Sequence, residues 1–412
     1  MMKRNALILL LAILTSCGDF TLPEENEQIP ILGWHGLPAS GEYADVKFYK
    51  EMADAGFTIN LPPGGWAEAE SAPYFELLDK AHSVGLKIMV DWKVVNFFKP
   101  DELKRLKEHP ALAGYTIRDE PSAKDFPALA DAVRKIQAFD NEHPPYINLF
   151  PNYANEEQLG VQGADAYRKH VQQYIKEVPV PVVSYDHYCI LLNAEKKRYI
   201  REGYYENLEI IADESRKAGK PFWAFALSTA HWDYPVPTLS DLRLQVYSDL
   251  AYGAQCIQFF TWFDPCCDEM WGEGADDNAP VRIDGSKSPS YYTVQAMNKE
   301  IKAVSKVFLN AKVQWTAHTG NIPRGCKELD KSLLPTEIKS LDISGSGALV
   351  SLIEKNGNRF LVLVNHDIEH DITISVKGSS KLRMLNKQGE VVKPTENQTL
   401  TPGDIAIFIL IK

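Results

Sequence analysis

The chain has 412 residues, of which 45% are hydrophobic, and a formal net charge of −11. This composition is enough for a large globular core. The negative charge, without a basic stripe, excludes a nucleic-acid-binding protein, because a polyanion would be repelled. The length exceeds a single (β/α)₈ barrel of about 250 residues and leaves room for roughly one further domain of about 100 residues.

The N-terminal segment predicts export. Two basic residues at 3–4 precede an apolar run at 6–14, which is too short to span a bilayer as a mature helix. The following Leu14-Thr15-Ser16-Cys17 resembles the lipobox of bacterial lipoproteins, in which the peptide is cut before the cysteine and the thiol carries the lipid. A plain secretory signal with an incidental cysteine is the alternative.

The lipobox resemblance implies an anchored protein of the bacterial cell envelope, on the periplasmic side or at the cell surface. We expect a signal peptide at 1–17, lipidation at Cys17 and a polar linker at 18–29. The membrane is then a partner through the lipid.

Residues 30–310 alternate short apolar runs with amphipathic stretches, which is typical of βα units on a parallel sheet. The predicted strands are Ile31–Trp34, Phe57–Leu61, Leu86–Trp92, Leu112–Ile117, Tyr146–Phe150, Val180–Tyr185, Phe222–Leu227 and Cys256–Trp262. Eight strands in this rhythm predict a closed (β/α)₈ TIM barrel. An open doubly wound sheet is the second choice, but no Gly-rich phosphate loop follows the first strand.

Beyond residue 310 the pattern changes to short strands separated by turn signals such as Asn356-Gly357 and Gln388-Gly389. This pattern predicts a small all-β domain at 311–412, most simply a sandwich. The expected fold class is therefore α/β, a TIM barrel followed by a small β-sandwich.

Polar and aromatic residues collect where the predicted barrel strands end, which is where barrels carry their reactive groups. Such a set is typical of a sugar site, because hydroxyls need polar partners and C–H faces need flat apolar surfaces. The expected substrate-binding residues are Trp34, His35, Asn60, Asp91, Trp92, Arg118, Asp119, Asn148, His187, Tyr188, His231 and Trp262. Trp232 is a further stacking candidate, and ordinary rim packing is the alternative for the tryptophans.

The sharpest motif is the end of the fourth predicted strand, Arg118-Asp119-Glu120-Pro121. It resembles the fourth strand of clan A glycoside hydrolases, whose acid/base glutamate follows Asn or Asp and often precedes Pro. The resemblance implies that Glu120 is the proton donor. A carboxyl group crowded by another carboxylate should have a raised pKa, as this role requires. The alternative is a helix start, which Asp and Pro also favour.

A second segment points in the same direction. Residues 242–262, with Pro280–Gly285 and the following helix, resemble the last third of barrels related to glycoside hydrolase family 42, the β-galactosidase-like enzymes. Such proteins often carry an accessory β domain. The resemblance implies a hydrolase acting on O-glycosidic bonds.

The second carboxylate is not fixed by the resemblance. Clan A enzymes place their nucleophilic glutamate at the end of the seventh strand, where this chain has no carboxylate between 222 and 229. Two carboxyl groups must still flank the bond, about 5 Å apart for retention or roughly 6.5–9.5 Å for inversion. Asp186, after the sixth strand, is the leading candidate, and Glu269 and Glu273 come next. Asp119 pairing with Glu120, as in substrate-assisted hexosaminidases, is a further alternative.

The sequence thus predicts a glycoside hydrolase with a carbohydrate substrate. No His-x-x-x-His or similar spacing supports a metal site, so neither a metal nor another cofactor is expected. The missing glutamate of the seventh strand keeps a second hypothesis open, namely a surface carbohydrate-binding lipoprotein whose barrel has lost catalysis.

Overall fold

The computed structural model describes residue 22 and residues 28–63, 72–263 and 279–411. Cys17, Glu269 and Glu273 lie outside the described residues. Within the described ranges, no helix is both long enough and apolar enough to cross a membrane.

The first half of the fold is a closed parallel barrel of eight strands, as the sequence predicts. Its strands are β1 (Ile31–Trp34), β2 (Ile59–Asn60), β3 (Lys87–Asp91), β4 (Leu112–Asp119), β5 (Pro145–Leu149), β6 (Val183–Tyr185), β9 (Phe222–Leu227) and β10 (Ile257–Phe260). They follow chain order around the barrel, and β10 closes it by pairing with β1. All carboxyl ends therefore meet at one mouth, and the polar residues there can form a single site.

Helices surround the barrel and cover its outer face. The longer ones are Val46–Asp54, Ala72–Ser83, Pro100–Lys107, Phe126–Phe139, Ala166–Glu177, Tyr204–Lys217, Leu239–Tyr252 and Pro289–Phe308. Helix Leu239–Tyr252 shows why these segments start and stop where they do: Thr238 forms a capping box with Asp241, and Gly253 adopts the left-handed conformation that ends the helix.

A small hairpin, β7 (Ile190–Leu192) with β8 (Arg198–Ile200), follows β6 and was not among the predicted strands. Each strand is only three residues long, which is too short for a hydrophobic period to be recognised in the sequence. The Leu192 N–H donates to the carbonyl of Asp233, which joins the hairpin to the loop after β9 on the mouth side of the barrel.

The second half is a β-sandwich, again as predicted. Its strands are β11 (Lys312–His318), β12 (Ile338–Ser344), β13 (Ala348–Lys355), β14 (Asn358–Asn365), β15 (Ile372–Gly378), β16 (Arg383–Leu385), β17 (Val391–Val392), β18 (Asn397–Leu400) and β19 (Ile405–Leu410). One sheet has the order β11-β13-β14-β19-β16-β17 and the other β12-β15-β18.

The larger sheet is buried on both faces. Along β14, Leu361 and Leu363 join the core between the two sheets, whereas Val362 and Val364 join the core of the barrel domain. This arrangement explains the continuous apolar runs of β13, β14 and β19, since a strand covered on one side alone would alternate with polar residues.

Candidate active site

Glu120 stands at the end of β4 in a strained backbone conformation. The pairing of β4 with β5 shifts register between Thr116 and Arg118, which marks a bulge just before the motif. Glu120 has a left-handed φ of 45°, and its N–H donates to the carbonyl of Asn148 at 2.9 Å. A non-glycine residue held this way costs about 1–3 kcal/mol, and such strain clusters at functional sites.

Three carboxylates meet beside this bulge. Asp186 follows β6 and is only 6% exposed. Burial and then the charges of Glu120 and Asp119 raise its pKa well above the ordinary value. Burial and the charge of Asp119 raise the pKa of Glu120 to about 7. Like charges this close cannot all ionise at neutral pH, so the cluster retains a proton.

Asn148, at the end of β5, links two of these carboxylates. Its Nδ2 donates to Asp119 Oδ1 at 3.1 Å and to Asp186 Oδ1 at 2.9 Å. Such donation favours the ionised form of a carboxyl group. Glu120 has no such amide donor in the described contacts, so we place the retained proton on Glu120 even though the deeper burial of Asp186 opposes its ionisation.

The orientation of the Asn148 amide is set by polar residues inside the barrel. Ser184 Oγ donates to Asn148 Oδ1 at 2.9 Å, and Gln258 Nε2 donates to Ser184 Oγ at 2.9 Å. Tyr146 in turn donates its hydroxyl proton to Gln258 Oε1 at 2.6 Å. Because this series of hydrogen bonds occupies Oδ1 of Asn148, only Nδ2 faces the carboxylates, and the amide cannot flip without losing hydrogen bonds.

Five of the expected substrate-binding residues line one cleft in the mouth, with a volume of about 340 Å³. They are Trp34, His35, Asp91, Arg118 and Asp119. Trp34 packs its ring on Tyr146 and Phe225 of the barrel interior, so one of its sides faces protein. Burial lowers the pKa of His35 to about 4, so its imidazole is neutral at pH 7 and can offer a donor and an acceptor to a sugar.

Two further expected residues form an aromatic cluster at the mouth, in the loops after β6 and β9. Tyr188 and His231 pack edge to face at 6.2 Å, and both lie against Phe260. A third expected residue, His187, is 1% exposed and stacked on Tyr204, so its imidazole is not accessible to a sugar. Burial and then the charge of Arg201 lower the pKa of His187 to about 3.

The structure corrects the expectation for Asn60. Its side chain is fully buried, with Oδ1 accepting from the Leu37 N–H at 2.8 Å and Nδ2 donating to the Leu37 carbonyl at 3.1 Å. Both polar atoms are therefore used to hold the loop after β1, and Asn60 is not free to bind a substrate hydroxyl.

Trp92 and Trp262 also differ from the expectation. Trp92 packs on Tyr115 and Phe139, in the layer between barrel and helices. Trp262 is completely buried against Phe57 and Tyr291. Trp262 therefore belongs to the core and cannot act as a stacking platform, whereas Trp92 is half-buried, with part of its ring packed in this layer. Both lie just beyond the observed strands, Trp92 at the start of a short helix (Trp92–Val95) after β3 and Trp262 after β10, so the alternation of side chains along a strand does not set their direction.

Sequence reasoning missed three residues at the mouth. Tyr153 follows β5, Arg201 follows the hairpin, and Tyr234 lies in the loop after β9. The Arg201 guanidinium lies over the Tyr153 ring at 4.1 Å and donates to the Tyr234 hydroxyl at 2.8 Å. Extending the search a few residues past each strand end would have found Tyr153 and Tyr234; the unpredicted hairpin hid Arg201.

The end of the seventh barrel strand, β9, carries hydroxyl groups in place of a carboxylate. Ser228 donates its hydroxyl proton to the Thr261 carbonyl at 2.7 Å, and the Thr229 and Thr261 hydroxyls contact each other at 3.0 Å. In the described ranges, no three His, Cys, Asp or Glu side chains are grouped so that they could hold a metal ion.

Solved structures with a similar fold include two β-galactosidases. The β-galactosidase from Bacillus circulans sp. alkalophilus superposes with a TM-score of 0.60 at 10% identity, over 93% of this chain and 99% of that one. A catalytic mutant of Gan42B, a GH42 β-galactosidase from G. stearothermophilus, gives a TM-score of 0.57 at 9% identity, over 93% and 98%. No family model matches the sequence. A search of curated proteins finds no match either.

Proposed function

We propose that this protein is a glycoside hydrolase that cleaves O-glycosidic bonds of oligo- or polysaccharides, with Glu120 as the general acid and Asp186 as the second carboxylate. The observation that carries the proposal is the pair itself: two acids at the ends of β4 and β6, on either side of β5, whose charges interact at the mouth of a barrel shared with glycosidases. Two such carboxyl groups are what glycoside hydrolysis requires.

The two acids have different surroundings, which suits different roles. Glu120, with a pKa raised to about 7, holds a proton that it can give to the leaving glycosidic oxygen. Asp186 receives a hydrogen bond from Asn148, which stabilises its ionised form for attack on the anomeric carbon or on a water molecule. Once the leaving group has departed, Glu120 is ionised and can accept a proton from water.

Turnover of a panel of 4-nitrophenyl glycosides tests the proposal. The panel contains β-galactoside, because the structural neighbours are β-galactosidases, together with β-glucoside, β-xyloside, β-mannoside and α-L-arabinofuranoside. We expect hydrolysis of at least one compound and a loss in Glu120→Gln that is smaller than the about 10²- to 10⁴-fold of general acid catalysis, because 4-nitrophenolate departs with little protonation. Glu142→Gln is the matched control, since Glu142 is exposed near the amino end of β5, at the opposite face of the barrel. Full activity of the Glu120→Gln variant would refute the assignment.

One observation favours a second function. The seventh strand end has hydroxyls tied to Thr261 instead of a nucleophile, which fits a carbohydrate-binding lipoprotein that has lost catalysis. Such a protein would bind glycan by calorimetry without releasing reducing sugar, and Glu120→Gln would leave its affinity unchanged.

We further propose that the protein is exported and anchored by a lipid on Cys17, on the strength of the lipobox-like segment at 14–17. Cells expressing the full chain and fed radiolabelled palmitate should label the wild type and not Cys17→Ala. Equal labelling of the two, or labelling of neither, would contradict the anchor.

A further inference from the structure

The outer wall of the mouth contains an exposed tryptophan that folding does not explain. Trp232 is 69% exposed, although large aromatic side chains are mostly buried. Its ring contacts His231 alone among the described aromatic side chains, at 5.1 Å and nearly edge to face. The two faces of the indole are therefore largely free.

The backbone at Trp232 is unfavourable for this residue type. His231 and Tyr234 form an isolated antiparallel bridge, closed by the Tyr234 N–H donating to the His231 carbonyl at 2.8 Å. Trp232 is thus the first of two residues at the tip of a tight turn, with φ 48°. This position favours Gly or Asn, because a side chain is strained there. Neither packing nor turn geometry accounts for a tryptophan at this site.

A row of aromatic rings connects Trp232 with the carboxylates. We call Trp232, His231, Tyr234 and Tyr153 the aromatic ridge. The rings of His231 and Tyr234 lie 4.7 Å apart. Arg201 joins Tyr234 to Tyr153, because it donates to the Tyr234 hydroxyl and lies over the Tyr153 ring. The Tyr153 ring in turn lies 5.0 Å from the ring of His187, the residue directly after Asp186. The ridge therefore runs from the site of bond cleavage outward to bulk solvent.

We propose that the aromatic ridge is a stacking subsite for a neutral polysaccharide chain, so that the substrate is a polymer reaching out of the barrel rather than a free disaccharide. Sugar rings present flat C–H faces that pack on indole. The net charge of −11 disfavours a polyanionic chain. The proposal rests on the proposed function for the position of the cleaved bond.

Affinity electrophoresis tests the subsite without requiring turnover. The Glu120→Gln protein is run in native gels that contain soluble β-1,4-galactan, xylan, mannan or mixed-linkage β-glucan. We expect at least one polymer to retard it, with about five- to tenfold weaker affinity when Trp232→Ala is added, and recovery in Trp232→Tyr. Tyr292→Ala is the matched control, because Tyr292 is 60% exposed on the last barrel helix.

Retardation by none of the four polymers, or equal retardation of the Trp232→Ala and Tyr292→Ala forms, would overturn the subsite. A concentration-dependent dimer that Trp232→Ala abolishes would overturn it too, because a second copy of the chain would then cover the indole. The nitrophenyl panel decides the hydrolase assignment separately, so a failure of catalysis and a failure of this subsite give different results.

Discussion

Two features of Glu120 raise the free energy of the folded state. Its backbone is left-handed, and its carboxyl group loses hydration and faces other carboxylates. Because its pKa is raised in the folded state, folding favours the protonated form. Stability should therefore fall as the pH rises from about 4.5, its ordinary value, through about 7, its folded value.

This linkage gives a stability prediction. At pH 8 Glu120→Gln should have a higher free energy of unfolding than the wild type, by up to about 3 kcal/mol. At pH 4 the two should be nearly equal, since both then carry a neutral side chain. Urea unfolding at the two pH values measures the difference, and Glu142→Gln should show none at either. A Glu120→Gln variant less stable at pH 8 than the wild type would contradict the raised pKa.

We expect Asn148 to determine which of the three acids is ionised, because its amide donates to Asp119 and Asp186. Removing its amide in Asn148→Ala should raise the pKa of Asp186 further, and lower kcat by about 10²-fold with little change in KM. The acidic limb of the pH profile of kcat should shift to higher pH than in the wild type, because Asp186 then ionises at a higher pH.

Ser184→Ala is the graded control for Asn148, since it keeps the amide itself and removes the hydroxyl that orients it and accepts from Gln258. Its profile should move in the same direction by less. An unchanged profile in Asn148→Ala, with a loss of activity that follows thermal stability alone, would assign Asn148 a structural role.

At the scale of elements, the sequence predicts the eight barrel strands because each is a short buried run that ends before a helix pattern. It does not predict which way a residue at a strand end faces, because side chains alternate within a strand and β10 ends at Phe260, two residues before the predicted end at Trp262. Trp34 and Trp262 show the difference: both end predicted strands, yet Trp34 lines the cleft and Trp262 is fully buried. The sequence also does not predict the hydrogen bonds through Ser184 and Gln258, although a polar residue within an apolar strand needs an internal partner.

Asn60 offers a test at this scale, because it joins β2 to the loop after β1. Asn60→Ala leaves the Leu37 N–H and carbonyl buried without partners, so it should lower stability by about 1–3 kcal/mol. Thermal unfolding and kinetics together decide: a residue bonded to substrate would instead raise KM while leaving the melting temperature unchanged.

At the scale of the whole molecule, the sandwich domain packs against the barrel domain and shares a hydrophobic core with it. The larger sheet turns one face to the barrel domain, where Ile407 and Ile409 of β19 join its core. The sequence predicts both domains from their separate patterns. It does not predict this shared core, because a strand buried on both faces has the same continuous apolar pattern whatever covers it.

The shared core predicts cooperative unfolding. Ile407→Ala should cost about 2–5 kcal/mol and lower the melting of the barrel as well as that of the sandwich. In scanning calorimetry of the wild type we expect one transition, with glycosidase activity lost at the same temperature. Two separated transitions, with activity lost in one of them only, would show that the domains unfold independently.

The central claim, that Glu120 protonates the leaving oxygen, is tested most directly by varying the leaving group. The measurement is kcat/KM of wild type and Glu120→Gln on the 2,4-dinitrophenyl and the methyl glycoside of the sugar that the panel identifies. Dinitrophenolate departs without a proton, so Glu120→Gln should lose about 10²-fold or more on the methyl glycoside and less than about tenfold on the dinitrophenyl one. Equal losses on both substrates, or none on either, would contradict the assignment.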